Sequence, residues 1–374
     1  MNLHVLHVID SLCVGGAERM LVDIANATAG EGRRASACIT RDGRDLANDL
    51  RPEVPLWVLG REKRFDWAAM KQFASIVKEQ RVDLLHAHGR STFSFVALIK
   101  TLGLIRTPIL LHDHYGQIEI DSSVPLWFRL WGRHHVAQYA GVYAKLGDWA
   151  AAAGVPRARI GVVGNALDLV RVQNASPTHL RKEFGVADHE RVGIVAAGIR
   201  PEKGIAVLLA ALASLAGRHA LKVIIAGGDR DAAYARACRA QCVSLGLERT
   251  AIFAGERADV PGLIKGADFA LIPSLSESGP LVLIEYMAGG LPFVATRVGD
   301  IAHRVEELGG SEFVPPNDAA AFAAALDRLL SLSASDWQKR SEAGRKTALD
   351  HFEIRQVMPH WDRMYRAALQ GSGS

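Results

Sequence analysis

Short apolar runs alternate with longer stretches whose apolar positions recur at helical spacing, and the alternation continues through almost the whole chain. Repeated βα units produce this pattern, because buried parallel strands read as apolar runs and the helices covering them as one-sided stripes. A first series of strands is expected near residues 3–9, 35–40, 55–59, 82–87, 108–112 and 140–144. Helices near 17–30, 66–80, 92–102, 124–138 and 147–153 separate them. Gly154 to Gly164 reads as a turn-like segment, beyond which strands are expected near 191–197, 221–226, 250–253, 268–272 and 292–295. A helix from Ile205 to Leu215, another beginning near Pro280 and a closing helical stretch over about 335–369 belong to this half, the last long enough to pack back across the first domain. The pattern predicts an α/β protein with two doubly wound, Rossmann-like sheets. Ligands of such sheets lie beyond the carboxyl ends of the strands, so two facing sheets would form a cleft. No internal repeat or low-complexity tract is visible.

Composition narrows the class. A chain of 374 residues with 49% hydrophobic content suits two domains and excludes a disordered or fibrous protein. No uncharged apolar stretch approaches the roughly 18 residues a membrane span needs, and MNLHVLHVID has neither a basic start nor a cleavage signature. A soluble, unexported, cytoplasmic protein is expected. Cys13, Cys38, Cys238 and Cys242 are too few and scattered for a disulfide framework, and Cys238 with Cys242 lacks further ligands for a metal. The net charge of +4 is spread along the chain, so no nucleic-acid stripe stands out. Gly371 to Ser374 reads as a flexible tail.

Several constellations could carry chemistry. Gly15 and Gly16, in VGGAE after the first strand, let backbone approach a ligand, and the helix behind them offers unpaired N–H groups to an anion. A tight strand-to-helix turn with Glu18 in its first helical turn accounts for the same residues. His86, His88, His112 and His114 stand at the ends of two strands, so they could gather at one edge of the first sheet, either as a zinc site or as hydrogen-bonded rings. In GIRPEKG (198–204), Arg200 and Lys203 are aimed from a strand end where two cations could neutralise a diphosphate; a solvated basic loop is the plainer reading. Glu277 lies in the loop after the strand near 268–272, and Glu285 two turns into an otherwise hydrophobic helix where a carboxylate needs a partner. Asp229-Arg230-Asp231 could be a D-x-D metal motif but reads more simply as a loop near a nucleotide. Pro125 to Arg133 mixes aromatic and basic residues, as a core helix with solvated arginines or as a surface for a lipid-linked acceptor.

Glu277 and Glu285, within PSLSESGPLVLIEYMAGGLPFVATRVGD, resemble the E-x7-E segment of the retaining glycosyltransferases of family 4. GGAE (15–18), LLHDH (110–114), VVGNALD (162–168) and RPEKG (200–204) extend the resemblance over nearly the whole chain in order. It implies the GT-B fold, with an acceptor-binding domain over 1–160, a nucleotide-sugar-binding domain over 165–350 and a C-terminal helix, about 352–370, packed back on the first. It implies a hexosyltransferase that uses a nucleotide-diphosphate sugar, UDP or GDP being the expected carrier, without metal and with retention of anomeric configuration. By the same resemblance Glu285 binds the ribose hydroxyls, while Glu277 and the backbone around Ser278, Gly279 and Leu281 hold the sugar. Lys203, helped by an arginine, steadies the diphosphate; Gly15 and Gly16 let the donor approach; His112 lies beside the reacting sugar. Pro280 has no N–H to give. Three departures stand out. The arginine usual in the family falls at Gly198, so its task passes to Arg200 or is lost; Ala166 follows Asn165 where glycine is usual; His303 stands where an acidic residue often does. A lipid-linked or polysaccharide precursor is the expected acceptor, in cell-surface glycan assembly with peripheral contact at the inner membrane face. A zinc-dependent hydrolase built on the histidines and a non-catalytic nucleotide-binding protein are the competing readings.

Overall fold

The computed structural model describes residues 3–30, 32–118, 120–308 and 312–370. The closing Gly-Ser segment lies outside them. The chain divides into two units, one made of residues 1–167 and 354–374 and the other of the continuous stretch 168–353.

In the first unit the apolar runs become β1 (His4–Ile9), β2 (Arg34–Ile39), β3 (Leu56–Val58), β4 (Leu84–His88), β5 (Ile109–Asp113), β6 (Val136–Gly141) and β7 (Ile160–Val162). They form one seven-stranded sheet in the order β3-β2-β1-β4-β5-β6-β7, and every pairing is parallel. The order reverses between β1 and β4, the point at which ligands of doubly wound sheets usually bind. The helix Ile354–Gln370 packs on β4, β5, β6 and the helix Gly16–Gly30, burying Trp361 and Tyr365 completely or nearly so. It enters this unit where the Ile354 N–H donates to the Leu167 carbonyl at 2.8 Å.

Three expectations change here. The helix expected over 124–138 shrinks to Leu126–Leu130 and one 3-10 turn, Gly132–His135, and β6 starts at Val136 instead of 140. Gly132 is the reason: its missing side chain leaves room for Trp127, whose ring would lie 2.8 Å from a Cβ, and a glycine also weakens helix continuation. The segment read as a turn holds β7, a three-residue edge strand whose central Gly161 lies under Met364. The closing helical stretch is two helices, Ala334–Phe352 and Ile354–Gln370, divided at Glu353, whose backbone is extended.

The second unit holds β8 (Arg191–Ala196), β9 (Leu221–Ala226), β10 (Ala251–Gly255), β11 (Phe269–Ile272), β12 (Phe293–Thr296) and β13 (Glu312–Val314). They form a parallel six-stranded sheet in the order β10-β9-β8-β11-β12-β13, reversing between β8 and β11. β13 is too short to show in the pattern. The helix Leu281–Gly289 is buried almost all round and packs on Ala334–Phe352. Among the described residues no helix is long and apolar enough to cross a membrane.

Candidate active site

The loops leaving β8 and β11, the two strands at the reversal of the second sheet, are locked together. Gly204 ends the 3-10 turn Pro201–Lys203 with φ of 64°, and a Cβ there would lie 1.9 Å from the Pro273 carbonyl oxygen. Only glycine permits that approach. It lets Leu275 N–H donate to the Glu202 carbonyl at 2.7 Å, and it brings the Lys203 ammonium onto the Glu277 carboxylate, which also accepts from Ser274 Oγ at 2.9 Å. The rest of the β11 loop is held from behind: Thr296 Oγ1 donates to the Ser274 carbonyl at 2.6 Å and Asp300 N–H to the Ser278 carbonyl at 3.0 Å. Glu277 and Lys203 thus meet on a fixed frame, with Ser278, Gly279 and Leu281 following in the chain toward the helix start.

Glu285 lies one turn into the helix Leu281–Gly289, nearer its start than the sequence suggests. Its carboxylate forms an ion pair with Arg171, from the short helix Val170–Gln173. Arg171 was not visible as a site residue, although a buried carboxylate calls for a cation and VRVQ supplies one just after the VVGNALD segment. The next residue, Tyr286, turns the other way and accepts the Ala196 N–H at 2.7 Å, tying the helix to the end of β8.

Arg200 stands apart from the Lys203–Glu277 pair. Its side chain is 52% exposed and its Nε lies 3.9 Å from Glu202. The space left by Gly198 is taken by the Arg230 side chain, whose Cγ would lie 2.7 Å from a Cβ at that position. The Asp229-Arg230-Asp231 carboxylates both have protein partners: Asp229 takes two hydrogen bonds from Arg239, each 2.9 Å, and Asp231 caps the helix Ala232–Ser244. Cys238 and Cys242 are buried free thiols on that helix.

In the first unit the four expected histidines do come together, on one face of the central strands. Parallel register sets His88 beside His112, and β1 adds His7 beside His86, a fifth ring that its place in an apolar run does not reveal. His7 Nδ1 faces His88 Nε2 at 3.3 Å, His86 Nε2 faces His112 Nδ1 at 3.2 Å, and His86 Nδ1 faces the Tyr365 hydroxyl at 3.0 Å. Trp361 lies over the group, its ring centroid 4.6 Å from that of His112. Burial pushes His7 and His114 down to about 3 and, with the neighbouring rings, holds His86, His88 and His112 well below the usual histidine range. These imidazoles are neutral at pH 7. Gly15 and Gly16 lead into the helix Gly16–Gly30 after β1, with Glu18 in its first turn.

Two family models match the chain in succession: Glycosyltransferase Family 4 over residues 14–171 and Glycosyl transferases group 1 over residues 190–332. The N-acetyl-alpha-D-glucosaminyl L-malate synthase of Bacillus anthracis is 24% identical over 82% of this chain and 80% of its own length. An uncharacterized glycosyltransferase of Methanocaldococcus jannaschii is 26% identical over 52% of this chain, and the match spans only half of that relative. The crystal structure of Anabaena HepE in complex with UDP and glucose matches 98% of this chain and 100% of its own, with a TM-score of 0.81 at 20% identity. With one glycosyltransferase model on each half and solved structures that share the fold, the chain belongs to the family 4-like glycosyltransferases and has the GT-B fold of two Rossmann-like domains.

Proposed function

We propose that the chain is a retaining, metal-independent transferase that moves a sugar from a UDP or GDP donor to a lipid-linked or polysaccharide precursor in cell-surface glycan assembly. The observation that carries this reading is the E-x7-E pair, whose two carboxylates each meet a cation at the carboxyl end of the second sheet, Glu277 with Lys203 and Glu285 with Arg171. Glu285, orientated by Arg171, accepts the ribose hydroxyls. The diphosphate draws the Lys203 ammonium away from Glu277, which then takes sugar hydroxyls together with the backbone at Ser278, Gly279 and Leu281. As the sugar departs, the leaving diphosphate gains charge, and Lys203 with the helix N-termini behind both loops offsets it without a divalent ion. Gly15, Gly16, Arg200 and His112 keep the roles that the family resemblance implies. HepE, with its bound UDP and glucose, supports a nucleotide-sugar donor for a fold of this kind.

The acceptor reading is supported by Leu126 and Leu130, 67% and 66% exposed on one helix with the exposed Arg129 between them. Exposed leucines beside a cation fit an acyl chain and an anionic headgroup at the inner membrane face. The Leu126→Ser/Leu130→Ser protein should then sediment less with anionic vesicles than the wild type; equal binding would remove this surface. The donor reading is tested by thermal shift against UDP-, GDP-, ADP- and CMP-linked sugars, since a ligand bound only by the folded state raises its melting point. A shift with none of them would overturn it.

A further inference from the structure

We propose that His88, His112 and His114 form a binding site for a transition-metal ion, zinc foremost, in the first unit. One ring nitrogen from each of the three lies within 4.8 Å of the others. The hydrogen bonds of the cluster then decide which nitrogens are on offer. His88 Nε2 is taken by His7, and His112 Nδ1 by His86, whose other nitrogen meets Tyr365. That leaves His88 Nδ1, His112 Nε2 and His114 Nε2, all buried and without a hydrogen-bond partner among the described residues. A buried polar atom with nothing to bond loses its hydration without return, about 1–3 kcal/mol each. The three rings that can bring one nitrogen each within 4.8 Å of the others are thus also rings that each have an unpartnered nitrogen to give.

The surroundings have the form that metal-bound histidines take. A ligating imidazole characteristically passes its other ring nitrogen to a second partner that fixes tautomer and orientation. His7 does this for His88, and the His86–Tyr365 pair for His112. The inner triad His7, His86 and His88 is also close enough to hold an ion. There, however, both nitrogens of His86 are engaged, so only His7 Nε2 and His88 Nδ1 are left to offer. Among the described residues no carboxylate joins either group, and Asp113, between His112 and His114, is held by Arg90 Nε at 2.8 Å and by the Tyr139 hydroxyl at 2.6 Å. An all-imidazole set suits zinc, cobalt, nickel or copper and not magnesium or calcium, and three ligands leave a fourth position open. His114, just beyond β5, is the most exposed of the three rings. The family resemblance sets His112 beside the reacting sugar, so an ion held by that ring would oppose transfer and not serve it.

The test uses the untagged full chain, stripped with EDTA and titrated with cobalt, whose visible absorption reports ligation and which zinc should displace. The expected result is a single equivalent bound, with affinity at least tenfold weaker in His114→Ala and weaker again in His88→Ala. His114→Ala removes only the partly exposed ring, and an unchanged melting point confirms its fold. No binding by the wild type, or undiminished binding by His114→Ala, would overturn the site. Nucleotide binding by the second unit is measured separately, so failure of the transferase reading would leave this result standing.

Discussion

Glu285 pairs with an arginine 114 residues away in sequence, and Glu277 with a lysine 74 residues away. In the proposed site the two carboxylates serve different ends of one donor, so their removal should separate in measurement. Glu285→Gln replaces charge-assisted bonds with neutral ones and also loosens Arg171, which together correspond to about 1.5–3 kcal/mol, or tenfold and more in affinity. Calorimetry with free UDP or GDP reads this directly, and unchanged affinity would remove Glu285 from the site. Glu277→Ala should leave nucleotide affinity nearly intact while turnover falls by about 100-fold, as for the loss of a positioned transition-state contact. The two cations are not equivalent either. Lys203→Ala should lower turnover by about 2–4 kcal/mol of transition-state stabilisation. Arg200, half-exposed beside Glu202, reaches the diphosphate only after turning from that partner. Arg200→Ala should also slow turnover, and the double mutant should fall short of the sum if both act on one phosphate. Wild-type kinetics for Arg200→Ala would leave Lys203 without that helper.

At the scale of elements, the join between the β8 and β11 loops depends on one glycine. In Gly204→Ala the new methyl meets the Pro273 carbonyl at 1.9 Å, so the loops must part and carry Lys203 and Glu277 with them. Gly217 has a similar backbone, φ of 76°, but open space around it. Gly217→Ala therefore shows only the conformational cost, about 1 kcal/mol, whereas Gly204→Ala adds the displacement and should melt several degrees lower with weaker nucleotide binding. Equal melting points would show that the close approach carries no weight. Most of these elements were legible because a strand buried on both faces is an apolar run, as in β1, β4, β8 and β9. β7 and β13, three residues each, bury too little to leave a pattern. The break at Gly132 was hidden because the aromatic residues around it read as helix. Glu277, Glu285 and Lys203 could be read from a resemblance, but the pairing of Glu277 with Lys203 and the part of Arg171 could not, since pairing across 74 or 114 residues has no local signature. His7 became visible only with the strand order that sets β1 beside β4.

For the whole molecule, the two units differ in how the chain makes them. Residues 168–353 are one continuous stretch with its own sheet and core, whereas the first unit is finished by a helix from the far end of the sequence. Expressed alone, 168–353 should melt cooperatively and keep its nucleotide affinity. Residues 1–167 alone should lack a sharp transition, because the face carrying His86 and His112 loses Trp361 and Tyr365; a peptide of 354–370 should restore it. In the full chain Trp361→Ala should cost about 3–5 kcal/mol, the range for deleting a large buried aromatic side chain. A cooperative melt of 1–167 without the peptide would overturn this.

That discontinuity also sets an order of events on the ribosome. The first unit is translated first yet completed last, because Ile354–Gln370 emerges only after the whole of the second unit. Throughout that interval the histidine face of the nascent sheet lies bare. Partly folded chains with exposed apolar surface are the species that chaperones hold, so the first unit should be a chaperone client during synthesis and the second should not. Nascent chains stalled before residue 354 should accordingly be cut by protease within 1–167, while 168–353, once clear of the exit tunnel, resists.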